Sequence, residues 1–255
     1  MRGNMNREEL IQNYLAGEFY QPYEVGADFR KEKLIGTVDT FLREYLPEKV
    51  LRLSFVKNFM PEYLKQKKHY VLENYFENIK LFLSNQGNDN VFAVNGSYSL
   101  MPLDYEKFDM VICSDILDMF DSINILEESK RVLNPEGYFL FTGVVLPDAD
   151  IDGVYDELIK CINPVHSDYY LETDLKTFAD LKGFDFIKSE KFVFRRNLKD
   201  MVSHYSKFYF GKDVMRGDHL AFLSENEALL AELYGFDGEE IDENYEVVLF
   251  RKKKL

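Results

Sequence analysis

Glycine is missing where an α/β protein usually concentrates it: none occurs between Gly36 and Gly87. The run Val50, Leu51, Leu53 follows a helical stretch and reads as a buried strand, after which such folds enter a glycine-rich turn. Here "KVLRLSFVKNF" offers Ser54, Val56 and Asn58 instead. Cysteine is also scarce. Cys113 and Cys161 form neither a CxxC nor a Cys/His ligand set, and Cys113, in the apolar "MVICSDIL", reads as a small core residue. His204 and His219 lack a partner at i, i+4, so no metal site is expected. Positive charge is in deficit, with 31 Lys and Arg against 45 Asp and Glu, which argues against a phosphate backbone as ligand and excludes nucleic acid as an expected partner. The basic Arg251–Lys254 cluster reads as a solvated tail. Long apolar runs are absent too. "GYFLFTGVVLP" is too short to span a bilayer, and "MRGNMNREELIQ" lacks the apolar stretch of a signal peptide. The expectation is a protein of the reducing cytoplasm, without membrane contact.

What is present is an alternation of strand and helix. At 255 residues the chain suits one large domain or a domain with a helical appendage. Residues Arg7 to Leu46 read as largely helical, interrupted by the aromatic loop "GEFYQPYEVGADF". Strands are expected at Val50–Phe55, "HYVLE", "NVFAVNG", "FDMVICSDI" and "YFLFTGVV", with helices at "NYFENIKLFLSN" and "SINILEESKRVL", the latter ending in the breaker "NPEG". This spacing argues for a doubly wound parallel sheet. After Pro147 come helices near Val154–Cys161 and Leu175–Lys182, a strand at Phe184–Phe194, a mostly helical stretch from Leu198 to Leu233, and a last strand in "NYEVVLFRK".

Four groups of residues add a sharper signal. Met101-Pro102-Leu103, Phe108-Asp109, Ile116-Leu117, and Glu128 followed by Arg131-Val132-Leu133-Asn134-Pro135-Glu136-Gly137 stand in the order and spacing of a known pattern. The pattern resembles the middle of a class I S-adenosylmethionine-dependent methyltransferase of the broad small-molecule type, most clearly over Val50–Val145. The resemblance implies a Rossmann-like, doubly wound, seven-stranded methyltransferase sheet closed by a hairpin from the strands at 184–194 and 245–252. An N-terminal helical cap (1–46), an α/β core (47–195), a helical insert (196–240) and a final strand with its tail (241–255) complete the expected organisation.

The resemblance also places "KVLRLSFVKNF" on the family's cofactor loop, with Arg52 at its acidic position and Ser54, Val56 and Asn58 at its glycines. Those glycines allow positive φ and close backbone approach; Asn58 can adopt left-handed geometry, whereas β-branched Val56 cannot do so cheaply. The loop reads as degenerate. The cofactor implied is S-adenosylmethionine, with no metal. Candidate cofactor residues are Glu73, which ends the second strand, Asn74 beside it, Ser54, Ser97 after the third strand, and Tyr20 as pocket lining. Glu73 could take ribose hydroxyls or simply cap a helix N-terminus. Candidate catalytic residues are His166, in "NPVHSDYY" at the carboxyl edge of the sheet, and Asp115, with Asp118 nearby. His166 reads as a base or substrate-orienting group, or as a loop histidine bonded to backbone. Three functions stay open: a methyltransferase acting on a small-molecule substrate, a non-catalytic binding module or complex subunit of the same fold that engages a protein partner, and an enzyme that reuses the pocket for a different ligand, where Arg52 would suit an anion.

Overall fold

The computed structural model describes residues 28–53, 60–76, 78–80, 90–163, 165–210 and 217–254. Helix α1 (Asp28–Tyr45) is amphipathic, and its buried residues Leu34, Val38, Phe41 and Leu42 recur at helical spacing. Strands β1 (Val50–Leu53), β2 (His69–Glu73), β3 (Val91–Asn95), β4 (Phe108–Ser114) and β5 (Leu133–Val144) pair in parallel. Strands β6 (Phe184–Asn197) and β7 (Glu240–Lys252) form a long antiparallel hairpin, with β7 inserted beside β5. The seven-stranded order is β3-β2-β1-β4-β5-β7-β6. A short helix α2 (Glu62–Lys65) precedes β2, and α3 (Ser122–Val132) links β4 to β5. Helices α4 (Val154–Ile162) and α5 (Glu172–Leu181) lead to β6, and α6 (Leu198–Phe210) and α7 (Gly217–Tyr234) separate β6 from β7.

Side-chain alternation along the strands divides the core. Val50, Met110, Ile112, Leu140, Val247 and Leu249 pack under α1, whereas Leu51, Val111, Cys113, Phe139 and Val248 pack with α3 and α5 on the opposite face. A third cluster joins α4, α6 and α7 around Tyr155, Leu158, Met201, Leu230 and Tyr234. The strands expected at "HYVLE" and "NVFAVNG" and the helix before "NPEG" lie where the sequence puts them.

One boundary differs. The sequence starts the fifth strand at Tyr138, but β5 begins at Leu133 and carries "NPEG" inside it. The pairing register shifts between Phe108 and Met110, Glu136 takes a left-handed φ of 63°, and Asn134 Nδ2 donates to Asp109 Oδ1 at 2.7 Å. The breaker is thus absorbed as an irregularity in the strand. Its partner Asp109 also accepts from the backbone N–H of Glu48 (3.1 Å) and Lys49 (2.9 Å), fixing the entry to β1.

The other motif residues serve the same end. Arg131 donates to the carbonyls of Leu103 (2.7 Å) and Met101 (2.9 Å) while its Nε meets Glu128 Oε1 at 2.7 Å; Glu128 Oε2 accepts the Met101 N–H at 2.7 Å. The Arg131 hydrogen bond, opposed by partial burial, holds the Glu128 carboxyl below its usual range. This charged clamp shapes the Met101-Pro102-Leu103 turn against β3. Gly96 completes it: a Cβ there would overlap Cδ and Cγ of the Pro102 ring, which cannot swing aside. Gly96→Ala is therefore expected to cost about 1–3 kcal/mol through overpacking, read as a lower midpoint in urea with an unchanged slope; a neutral result would show that the turn gives way.

Candidate active site at the carboxyl edge of the sheet

In an open parallel sheet the strands' carboxyl ends meet the ligand, because side chains and backbone N–H groups there converge without helix cover. At the tip of β2, Glu73 is fully buried, and its Oε1 accepts from the Tyr75 N–H and from the Tyr98 hydroxyl, both at 3.1 Å. The first bond closes a tight turn directly after β2. The second comes from Tyr98, seated edge-on against Phe120 (centroids 5.0 Å apart). Asn74 offers its carbonyl to Asn95 Nδ2 at 3.4 Å, and the same amide donates to the Glu73 carbonyl at 3.0 Å. Ser97 is exposed, and its Oγ accepts the Ser99 N–H at 3.2 Å, a local turn. Ser54 and Tyr20 lie outside the described residues, as do Phe55, Val56 and Asn58.

Arg52 is 4% exposed and shares its sheet face with Val50, His69 and Val71, beneath α1; its Nη1 lies 3.7 Å from Met60 Sδ. The Arg52 cation thus lies within the sheet's packing.

Next to this, a small cleft opens beyond β4 and β5. Asp115, Leu117, Asp118, Phe141, Gly143, Val144, Asp168, Tyr169 and Tyr170 line this cleft of about 40 Å³. Asp115 has a left-handed φ of 51°, tolerable for aspartate, and its Oδ1 accepts the Tyr245 hydroxyl. Its backbone N–H donates to the Thr142 carbonyl at 2.9 Å, which continues the β4–β5 ladder past Ser114.

His166 sits behind the cleft wall, its side chain fully enclosed between two carboxylates. Nε2 lies 2.6 Å from Asp156 Oδ1 and Nδ1 lies 3.4 Å from Asp118 Oδ2. Each ring nitrogen can donate to a carboxylate only if it carries a proton, so the arrangement favours the imidazolium form. Burial pushes its pKa down, but hydrogen bonds and charge from Asp118 and Asp156 outweigh burial and raise it to about 9. An imidazolium has no lone pair to receive a proton at neutral pH. Asp156 accepts in addition from Lys160 Nζ (2.7 Å) and the Tyr169 N–H (2.7 Å); burial alone would raise its pKa, and these bonds bring it below the usual range.

The structure thus brings Asp115, Asp118 and His166 together at one edge and puts Glu73, Asn74 and Ser97 at the neighbouring strand tips. Sequence reasoning missed Tyr98, Asp156 and Tyr245. Asp156 looks like half of a surface pair with Lys160 at i+4, and Tyr245 like one more core aromatic; only their long-range contacts set them apart. Among the described residues, no group of three or more His, Cys, Asp or Glu is arranged to hold a metal ion, and no helix is long and apolar enough to cross a membrane.

Comparison with known proteins agrees with this geometry. Residues 55–141 match the family model of a methyltransferase domain. No curated protein matches the sequence. Among solved structures, the YcgJ protein of Bacillus subtilis superposes with a TM-score of 0.74 at 14% identity, covering 88% of this chain and 100% of that one. Geranyl diphosphate C-methyltransferase from Streptomyces coelicolor A3(2), solved with Mg2+, geranyl diphosphate and S-adenosyl-L-homocysteine, gives 0.59 at 11% identity over 99% and 100%. A chain from a Haloferax volcanii complex containing a methyltransferase activator gives 0.55 at 14% identity over 93% and 98%. Identities this low establish the fold. The methyltransferase-domain match spans residues 55–141, and the chain has the fold of the methyltransferases on which it superposes.

Proposed function

We propose that the protein transfers a methyl group from S-adenosylmethionine to a small-molecule acceptor seated in the Asp115–Tyr170 cleft. The observation that carries this reading is the buried Glu73 carboxylate at the β2 tip, the acceptor chemistry that a ribose diol requires, with β1 between it and a lined cleft at the tips of β4 and β5. Glu73, with Ser97 and Asn74 at its flanks, would hold the nucleoside. The bound cofactor supplies a methyl group already activated by its sulfonium, so the protein's share of the chemistry is proximity and orientation. Leu117, Phe141 and Tyr169 exclude water from the cleft, and Asp115, oriented by Tyr245, accepts a hydrogen bond or proton from the acceptor. Residues 1–46 and 196–240 would act as cap and insert, with the cytoplasm as the working compartment.

Glu73 is engaged by Tyr98 as it stands, so the Tyr98 hydroxyl must yield when a ribose arrives. Calorimetry with S-adenosylmethionine and S-adenosylhomocysteine tests this directly. Wild type should bind both, Glu73→Gln should bind roughly ten-fold to a hundred-fold more weakly, as for a lost charged hydrogen bond of about 1.5–3 kcal/mol, and Tyr98→Phe should bind more tightly. No heat and no thermal shift with either ligand, in wild type and Tyr98→Phe alike, would overturn the reading in favour of a non-catalytic module that engages a protein partner.

A further inference from the structure

The cleft has three walls from separate parts of the chain: Asp115–Asp118 after β4, Phe141–Val144 at the end of β5, and Asp168–Tyr170 after α4. The third wall belongs to the segment 165–171, which has no regular secondary structure to hold it except a single bridge from Leu171 to Leu146. Several of its attachments run through His166, while the Tyr170 hydroxyl and carbonyl are held separately by Ser122 Oγ and the Leu146 N–H. The His166 ring reaches forward to Asp118 in the first wall and back to Asp156 on α4. The adjacent Ser167 N–H donates to the Asp118 carbonyl at 2.6 Å, and the Tyr169 N–H donates to the Asp156 oxygen that His166 also engages. The His166 and Tyr169 rings lie 4.2 Å apart.

We propose that His166 is the positioning residue of the acceptor cleft: as a doubly donating cation between Asp118 and Asp156, it locks segment 165–171, with its Asp168, Tyr169 and Tyr170, against the first wall. The inference rests on the reading that this cleft takes the methyl acceptor, but the lock is built from the chain alone. Neutral His166 could donate to only one of the two carboxylates, leaving the other without its partner beside an enclosed ring. The charged and titratable groups facing it are Asp118 after β4, Asp156 and Lys160 on α4, Tyr155 on α4 behind Tyr169, and Asp168 and Tyr169 on its own segment. Lys160 pairs with Asp156 Oδ2, Glu157 and Asp168, which leaves Asp156 Oδ1 to His166 and the Tyr169 N–H. As pH rises through about 9, His166 loses its second proton and the lock should open.

The test uses the protein without ligand, so it stands or falls apart from S-adenosylmethionine binding. In histidine-ring 1H–15N spectra, the signal lost in His166→Gln should show both nitrogens protonated at pH 7.5 and titrate near pH 9; Asp118→Asn should shift that titration down by at least one pH unit. Amide hydrogen exchange of Ser167 and Tyr169, corrected for its intrinsic pH dependence, should be at least ten-fold faster in His166→Gln at pH 7.5, while β4 and β5 keep their protection. Wild type should approach the variant above pH 9. A neutral ring at pH 7.5, a titration unmoved by Asp118→Asn, or unchanged protection of the two amides would overturn the proposal. Should His166→Gln fail to fold, the wild-type titration and Asp118→Asn still decide it.

Discussion

Arg196→Ala should destabilise the protein by about 3–5 kcal/mol, a fall of roughly 10 °C in Tm for a chain of this size. Arg196 lies near the end of β6, partly buried with its side chain 10% exposed, and donates from Nη1 to both carboxylate oxygens of Glu243 at 2.8 Å. Burial works to lower its pKa, and the charge of Glu243 more than restores it, so the guanidinium stays charged in an apolar setting. The two residues sit diagonally across the β6–β7 hairpin, Arg196 opposite Ile241 and Glu243 opposite Phe194. The Tyr155 hydroxyl on α4 also reaches Glu243 Oε1 at 3.3 Å, so the pair joins hairpin to helix. Removing Arg196 takes the counter-charge from the Glu243 carboxylate, and the desolvation of that carboxylate accounts for most of the cost. The pair itself is worth much less. Arg196→Met with Glu243→Leu should regain most of the loss, and adding Tyr155→Phe should regain more by removing the hydroxyl left without its acceptor. Urea melts of the four proteins check this. A cost below about 1 kcal/mol for Arg196→Ala would mean that water reaches the site.

The fold was legible because its signals are local and mutually consistent. The Glu128–Arg131 pair, one helical turn apart, clamps a turn that begins only 27 residues earlier, and Asp109 ties the "NPEG" irregularity to the start of β1. These residues carry the family resemblance because they bind one another. They brace the sheet beneath the candidate site. The site was legible only in outline. Glu73, Asp115 and His166 could be placed at strand tips from topology, but their roles depend on Tyr98, Tyr245 and Asp156, which come from other elements and look like core aromatics or a helical surface pair in isolation. Arg52 shows the same limit. The sequence gives its position on β1, whereas the face it takes follows from strand register, which sets it beneath α1 beside His69.

That neighbourhood governs the acid side of the stability profile. His69 is fully buried, and its Nδ1–H donates to the Lys67 carbonyl at 3.1 Å, while Nε2 has no hydrogen-bond partner. Burial, helped by the positive charge of Arg52, pushes its pKa down to about 4. A histidine whose folded pKa lies below its unfolded value of about 6.5 binds protons more readily when unfolded, so stability falls as pH drops from 6.5 towards 4. His166 has the opposite sign: its raised pKa makes stability complete below 6.5 and lost as pH rises towards 9. The two histidines together should give a maximum near pH 6.5, falling by about 2 kcal/mol at pH 5 from His69 and by about 3 kcal/mol at pH 9 from His166. Below pH 5 the carboxylates with depressed pKa values, Asp156 and Glu128, add their own loss as they take up protons. His69→Asn keeps a donor for the Lys67 carbonyl and has no ring to protonate. Its stability should be nearly flat between pH 5 and 6.5 while the alkaline fall persists, and His166→Gln should show the reverse. Denaturant midpoints at half-unit pH steps separate the limbs, and an acid limb that survives in His69→Asn would assign it to carboxylates instead.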